Sequence, residues 1–344
     1  MRLRLEPLAR YPGLRVLGWQ AGVLYAARGY EVLRWMPASL AWESAGEFDP
    51  GLLRRWASQA RLADRLTRGG CHGIARVGDG ALVASFPGVI ALRRAGTLRF
   101  DPVLDVPRGR RPLAIASTPG GRVYFGEYFS NRGRDAVHVY GSHDGERWEI
   151  VYTFPRQSIR HVHTITYDPH GGCLWVLTGD DGDECRILRA SPDWSSVDVV
   201  VAGGQQARAV ALVPLPEGIY YASDTEREAN YIYRLDRGGT SARLAPIAAS
   251  SFYGCRVGRA LFFSTGVEPS RVNNGRDAVL YASADGTEWE TVLRWPHDGW
   301  HLRLFGYANI VLPSGDNDGD ILAATGTAVR REDAVTHLWR VHTG

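Results

Sequence analysis

The chain has 344 residues, 44% of them hydrophobic and 22% charged, with a formal net charge of +3. Such a chain can bury a sizeable core, and so small a net charge excludes a general attraction to nucleic acid. The 11 tryptophans and 15 tyrosines beside 40 glycines favour aromatic strands joined by glycine turns over a helical protein.

At the amino terminus, MRLRLEPLARYPGLRV has no apolar run of signal-peptide length. No segment further on reaches the roughly 18 apolar residues of a membrane span. The expected location is therefore cytoplasmic, without membrane insertion. All 40 basic residues are arginine, which a GC-rich genome explains as readily as a need for the planar guanidinium fork. Cys71, Cys173, Cys185 and Cys255 are widely spread and form no CxxC pair, so neither a zinc knuckle nor a disulfide framework is indicated.

Internal repetition carries the fold. NRGRDAVHVYGSHDGERWEIV, from Asn131, aligns with NNGRDAVLYASADGTEWETV, from Asn273, placing Arg134 and Arg276 142 residues apart. That is three units of about 47 residues, the period of propeller blades. GGRVYFGEY, GGCLWVLTGDD, EGIYYASDTE, GRALFFSTGVE and GDILAATGTA read as second strands entering polar loops; AVHVYGS, CRILRAS, YIYRLDR, AVLYASA and THLWRVH read as the third strands that follow. The expectation is an all-β chain, a single β-propeller domain over residues 1–344 with about seven four-stranded blades. Approximate units fall at 11–67, 68–108, 109–156, 157–203, 204–247, 248–296 and 297–344. In the first, LLRRWASQARLADRL also admits helix. Because the chain ends on a third strand, THLWRV, the amino-terminal RLRLEPL is expected to supply the missing outer strand and close the ring.

Both good repeats contain S-x-D-G-x-x-W: Ser142, Asp144, Gly145 and Trp148, then Ser283, Asp285, Gly286 and Trp289. Physically, the aspartate accepts backbone N–H bonds inside a turn, glycine takes a positive φ, and tryptophan packs between sheets. With SPDW at Ser191 as a degenerate third copy, the sequence resembles the Asp-box, or BNR, sialidase-like propeller superfamily. The resemblance implies Asp-box turns between third and fourth strands, on the face opposite the functional one.

Function in propellers gathers where inner strands begin, beside the loops between second and third strands. Those inner strands are expected to begin at Cys71 and His72, Arg110 and Arg111, His161 and His163, Arg208, Tyr253, and His301, Arg303 and Tyr307. The loops add Glu127, Tyr128, Asp180, Asp181, Asp183, Glu184, Asp224 and Glu226. In RHVHTITYD, residues i and i+2 of a strand point the same way, so His161 and His163 can aim at one point. With Asp180 above them they form a candidate site for a divalent metal ion; alternatively, the histidines bond backbone carbonyls.

Arginines beside histidine and tyrosine suit an anionic sugar, since guanidinium groups grip carboxylates. The constellation resembles propeller polysaccharide lyases, metal-holding oligogalacturonate lyases among them, and glycosidases acting on rhamnose–glucuronate linkages. A sialidase proper is disfavoured by the missing Arg-Ile-Pro motif. The leading functional expectation is a carbohydrate-active enzyme cleaving an acidic, uronate-containing oligo- or polysaccharide by β-elimination or hydrolysis. His161, His163, Tyr253 and His72 are its candidate catalytic groups. Arg111, Arg208, His301, Arg303, Tyr307 and Glu127 are its candidate substrate contacts. The alternative is a non-catalytic propeller that binds a glycan or a protein on the same face, with a structural ion in the channel.

Overall fold

Apolar runs recurring roughly every 45 residues become the second strands of successive antiparallel blades. The computed structural model describes residues 3–59, 61–78 and 80–344, apart from the side chains of residues 59 and 303. Strand β1 (Leu3–Pro12) precedes the first blade, which is built from β2 (Arg15–Gln20), β3 (Val23–Arg28), β4 (Glu31–Met36) and β5 (Ala41–Phe48). Helices α1 (Leu52–Gln59) and α2 (Arg61–Thr67) follow, so LLRRWASQ and RLADRL are helical.

The second blade holds β6 (Gly73–Val77), β7 (Ala81–Phe86), β8 (Val89–Arg93) and β9 (Arg99–Asp105). The third holds β10 (Ala116–Ser117), β11 (Val123–Gly126), β12 (Val137–Ser142) and β13 (Glu149–Phe154). The fourth holds β14 (Val162–Asp168), β15 (Cys173–Thr178), β16 (Arg186–Ala190) and β17 (Val197–Ala202). The fifth holds β18 (Ala209–Leu215), β19 (Gly218–Ser223), β20 (Asn230–Asp236) and β21 (Ser241–Ile247). The sixth holds β22 (Ser251–Val257), β23 (Ala260–Thr265), β24 (Asp277–Ser283) and β25 (Glu290–Pro296). After α3 (Leu302–Phe305), the last blade takes β26 (Asn309–Val311), β27 (Ile321–Thr327) and β28 (Val335–Thr343) from the carboxyl terminus. Its outer strand is β1, which pairs antiparallel with β28 from Leu3 opposite Thr343 to Pro12 opposite Val335. The ring is thus closed by the amino-terminal strand, as the sequence implied.

Each second strand is packed from both sides by neighbouring blades, which is why CLWVLT, GIYYAS and ALFFST are buried at every position. Outer strands face solvent, as β13 does, where only Phe154 is buried. Seven apolar clusters fill the seven junctions between adjacent blades. At the junction of the first two blades, strands also pair directly: β5 and β9 run parallel, with Glu47 opposite Arg99 and Phe48 opposite Phe100.

Antiparallel strands alternate direction, so connections leaving each blade lie on the same face as the loops between second and third strands. This upper face carries α1, α2 and α3. The S-x-D-G turns lie on the lower face. There Asp144 Oδ1 accepts the N–H groups of Glu146 at 2.8 Å and Arg147 at 2.9 Å, and Asp285 Oδ1 those of Thr287 at 2.8 Å and Glu288 at 3.2 Å.

Candidate functional site at the channel mouth

The inner strands enclose an axial cavity of about 1110 Å³. Register shifts interrupt several of them near their first residues. On β14, Val162 pairs with Thr178 and Thr164 with Leu177, so His163 is the extra residue of a β-bulge. Bulges re-aim side chains locally. This one brings the His163 imidazole, with that of His161, against the acidic turn after β15.

Both histidines are almost fully buried, at 5% and 3% exposure. His161 Nδ1 lies 3.1 Å from the Phe129 carbonyl oxygen and His163 Nδ1 lies 2.8 Å from that of Ala209. A carbonyl only accepts, so each Nδ1 carries the proton and donates. Each Nε2 then presents a lone pair. The two Nε2 atoms are 3.0 Å apart, and Asp180 Oδ1 stands 3.4 Å from the first and 3.2 Å from the second. Asp180 Oδ2 is held by Arg160 at 2.9 Å. Elsewhere in the turn, Asp181 pairs with Arg134 and Arg227, and Glu184 with Arg134.

Beside this group the cavity wall is acidic. The single guanidinium of Arg208 faces Asp224 at 3.4 Å, Glu226 at 3.7 Å and Asp180 at 3.6 Å. Burial pushes the Asp224 carboxyl up to about 8 against the pull of Arg208, with Glu268 adding to the rise. Burial and the neighbouring Glu226 bring Glu268 up to about 7, again against Arg208. Carboxyl groups therefore outnumber the cations Arg208 and Arg160 on this side, and two of them, Asp224 and Glu268, retain protons that a further cation would displace. Tyr128, whose ring centre lies 4.4 Å from that of His161, has its hydroxyl pushed up to about 12 by burial.

The opposite wall is basic. Arg15, at the start of β2, donates to the Tyr253 hydroxyl at 3.3 Å. Burial and the nearby Arg15 bring Arg111 down to about 10. His72 donates from Nε2 to Gly69 at 2.7 Å, and burial with Arg111 and Arg15 alongside holds it well below its ordinary range.

His161, His163, Asp180, Arg208, Tyr253 and His72 thus meet around one channel. Arg111 sits behind the basic wall, its Nη1 3.4 Å from the Arg68 carbonyl. Glu127 is withdrawn, its carboxylate bound by Arg108 Nε at 2.8 Å and the His138 N–H at 2.7 Å. His301 and Tyr307 belong to the α3 connection rather than the cavity lining. The Arg303 side chain lies outside the described residues. Sequence reasoning missed Arg15, Arg160 and Glu268. The last two had a signal: Arg160 immediately precedes His161, and Glu268 ends the second-strand segment GRALFFSTGVE.

No family model matches this chain, and no curated protein matches it. Among solved structures it aligns with a chain of a mitotic checkpoint complex at 13% identity and a TM-score of 0.59, covering 99% of this chain and 94% of that one. It also aligns with the WD40 β-propeller domain of Doa1 at 10% identity and a TM-score of 0.58, covering 98% and 97%. At such identities the likeness is one of fold.

These neighbours correct the expected kinship: the chain aligns in fold with a WD40 β-propeller domain, that of Doa1, and no support appears for the Asp-box, sialidase-like superfamily. The S-x-D-G turn is a local solution to a tight reversal, available to unrelated propellers. The expectation of a carbohydrate-active enzyme is corrected with it, as is that of an acidic oligo- or polysaccharide partner. There is a physical reason as well. Arg208, meant to grip a uronate, is already faced by Asp180, Asp224 and Glu226, so its surroundings repel a further carboxylate. Among the described residues, no helix is long and apolar enough to cross a membrane.

Proposed function

We propose that this chain is a non-catalytic interaction propeller whose upper face docks a protein segment bearing apolar side chains and a lysine or arginine. The observation that carries the reading is α1. Its Leu52, Leu53 and Trp56 are 87%, 85% and 71% exposed, on the face that also holds the channel mouth. Large apolar side chains grouped in this way mark interaction surfaces, and tryptophan is a preferred anchor of them. Charge complementarity selects the partner's other feature. The carboxyl groups of Asp224, Glu226 and Glu268 favour a basic side chain, which draws the raised Asp224 and Glu268 toward their ionised forms, and leave an acidic one unpaired. The WD40 likeness supports a binding role. Four free, buried cysteines support a reducing compartment, and we read the chain as cytoplasmic.

The test is a screen of the purified chain against linear peptides, with affinities measured by fluorescence anisotropy. Retained peptides should combine apolar and basic residues. Trp56→Ser, and separately Asp224→Asn with Glu268→Gln, should each weaken them at least tenfold. A concentration-dependent dimer abolished by Trp56→Ser would assign the face to a second copy instead. Peptide binding indifferent to all these substitutions, or selection of acidic oligosaccharides, would overturn the reading.

A further inference from the structure

We infer that His161, His163 and Asp180 form a binding site for one divalent transition-metal ion of the zinc class, independent of the docking surface above. Three acceptor atoms, His161 Nε2, His163 Nε2 and Asp180 Oδ1, converge at mutual distances of 3.0, 3.2 and 3.4 Å. With both Nδ1 positions committed as donors to Phe129 and Ala209, no neutral-ring hydrogen is left to place between them. Three lone pairs facing one another repel unless a proton or a metal cation sits among them, and burial of both rings disfavours the charged imidazolium.

The spacing fits such an ion. Zinc bonds nitrogen and carboxylate oxygen at about 2.0–2.2 Å in tetrahedral sites, which sets the ligand atoms about 3.3 Å apart. Two imidazoles and one carboxylate make a donor set for zinc and its neighbours rather than for magnesium or calcium. The surroundings match too. Metal-bound histidines characteristically donate their other N–H to a carbonyl or carboxylate, which fixes the tautomer, and both do so here. Asp180 is held in turn by Arg160 at 2.9 Å.

The ion's role follows from where those outer partners lie. Phe129 is in the loop after β11 of the third blade, and Ala209 opens β18 of the fifth, while the ligands belong to the fourth. A metal ion fixing both rings therefore fastens three blades at the channel wall.

The experiment uses the full chain, stripped with a chelator and titrated with zinc alone by calorimetry, with metal content read by elemental analysis. One zinc per chain is expected, with a rise in melting temperature that chelation reverses. Stoichiometric uptake should be lost in His161→Ala and in His163→Ala, and Asp180→Asn should weaken it at least tenfold. Cobalt substituted for zinc should give the visible absorption of a four-coordinate nitrogen and oxygen site. A folded wild-type chain that takes up no zinc, nickel or manganese overturns the inference without any variant having to fold. Uptake unchanged in the double-histidine variant does so as well. Loss of zinc without loss of peptide binding would leave the docking reading standing by itself.

Discussion

The Arg65 guanidinium on α2 is paired with the Asp298 carboxylate in the connection between β25 and α3, and both side chains are less than a tenth exposed. Arg65 Nε also donates to the Phe305 carbonyl at 2.7 Å. The helical insertion after the first blade is thereby fastened to the junction of the sixth and last. Removing one partner of a buried pair costs about 3–5 kcal/mol where the other charge is left uncompensated; here Arg61, 3.7 Å from Asp298, keeps the loss at the lower end. Arg65→Met is expected to lower urea stability by that order, and Arg65→Met with Asp298→Leu by clearly less. Equal losses in the two, measured by urea unfolding, would show that the pair is not energetically coupled.

The acidic wall gives two opposite pH trends. Between its ordinary 3.8 and about 8, folded Asp224 keeps a proton that the unfolded chain has lost; for Glu268 the window runs from 4.5 to about 7. The folded state binds more protons there, so this contribution to stability is present at low pH and fades as pH rises through the window. Asp224→Asn with Glu268→Gln should flatten the wild-type decline in melting temperature between pH 5 and about 8. Affinity for a basic peptide should instead increase over the same range, because the ionised carboxylates are the ones that hold it. An affinity that falls with rising pH contradicts the assignment.

The lower turns test the packing of the blades. Gly145 and Gly286 have φ of +77° and +79°. A Cβ on Gly145 would lie 2.8 Å from Val83 Cγ2, and one on Gly286 would lie 2.5 Å from Tyr220 Oη. Strain and contact together predict a loss of about 1–3 kcal/mol for each alanine variant. The losses should nearly add, because the two sites share no neighbour. Chemical denaturation of the single and double variants checks both statements.

The architecture was legible because each blade repeats one plan. GGCLWVLTGDD, EGIYYASDTE and GRALFFSTGVE all became second strands, and the orphan third strand THLWRV foretold the partner that Leu3–Pro12 supplies. The channel was legible as an address, since residues heading inner strands reach the axis in any propeller. Side-chain partnerships were not. The pleat alone does not predict the bulge at His163, and nothing near Glu127 in sequence announces that Arg108 occupies it. Arg208 reads as a free anion grip until three carboxylates from two loops are brought around it. The functional misreading had the same root: a turn motif reports how a chain reverses, whereas the ligand is decided by what faces the cavity.

Leu3 lies opposite Thr343, and Pro12 opposite Val335, in the strand pair that completes the ring. The two ends of the described chain therefore emerge at the same edge of that pair. Tension applied to them loads the hydrogen bonds one after another, as in opening a zip, instead of all together in shear. Under such a pull the seam that makes the ring circular is expected to part before the blades do.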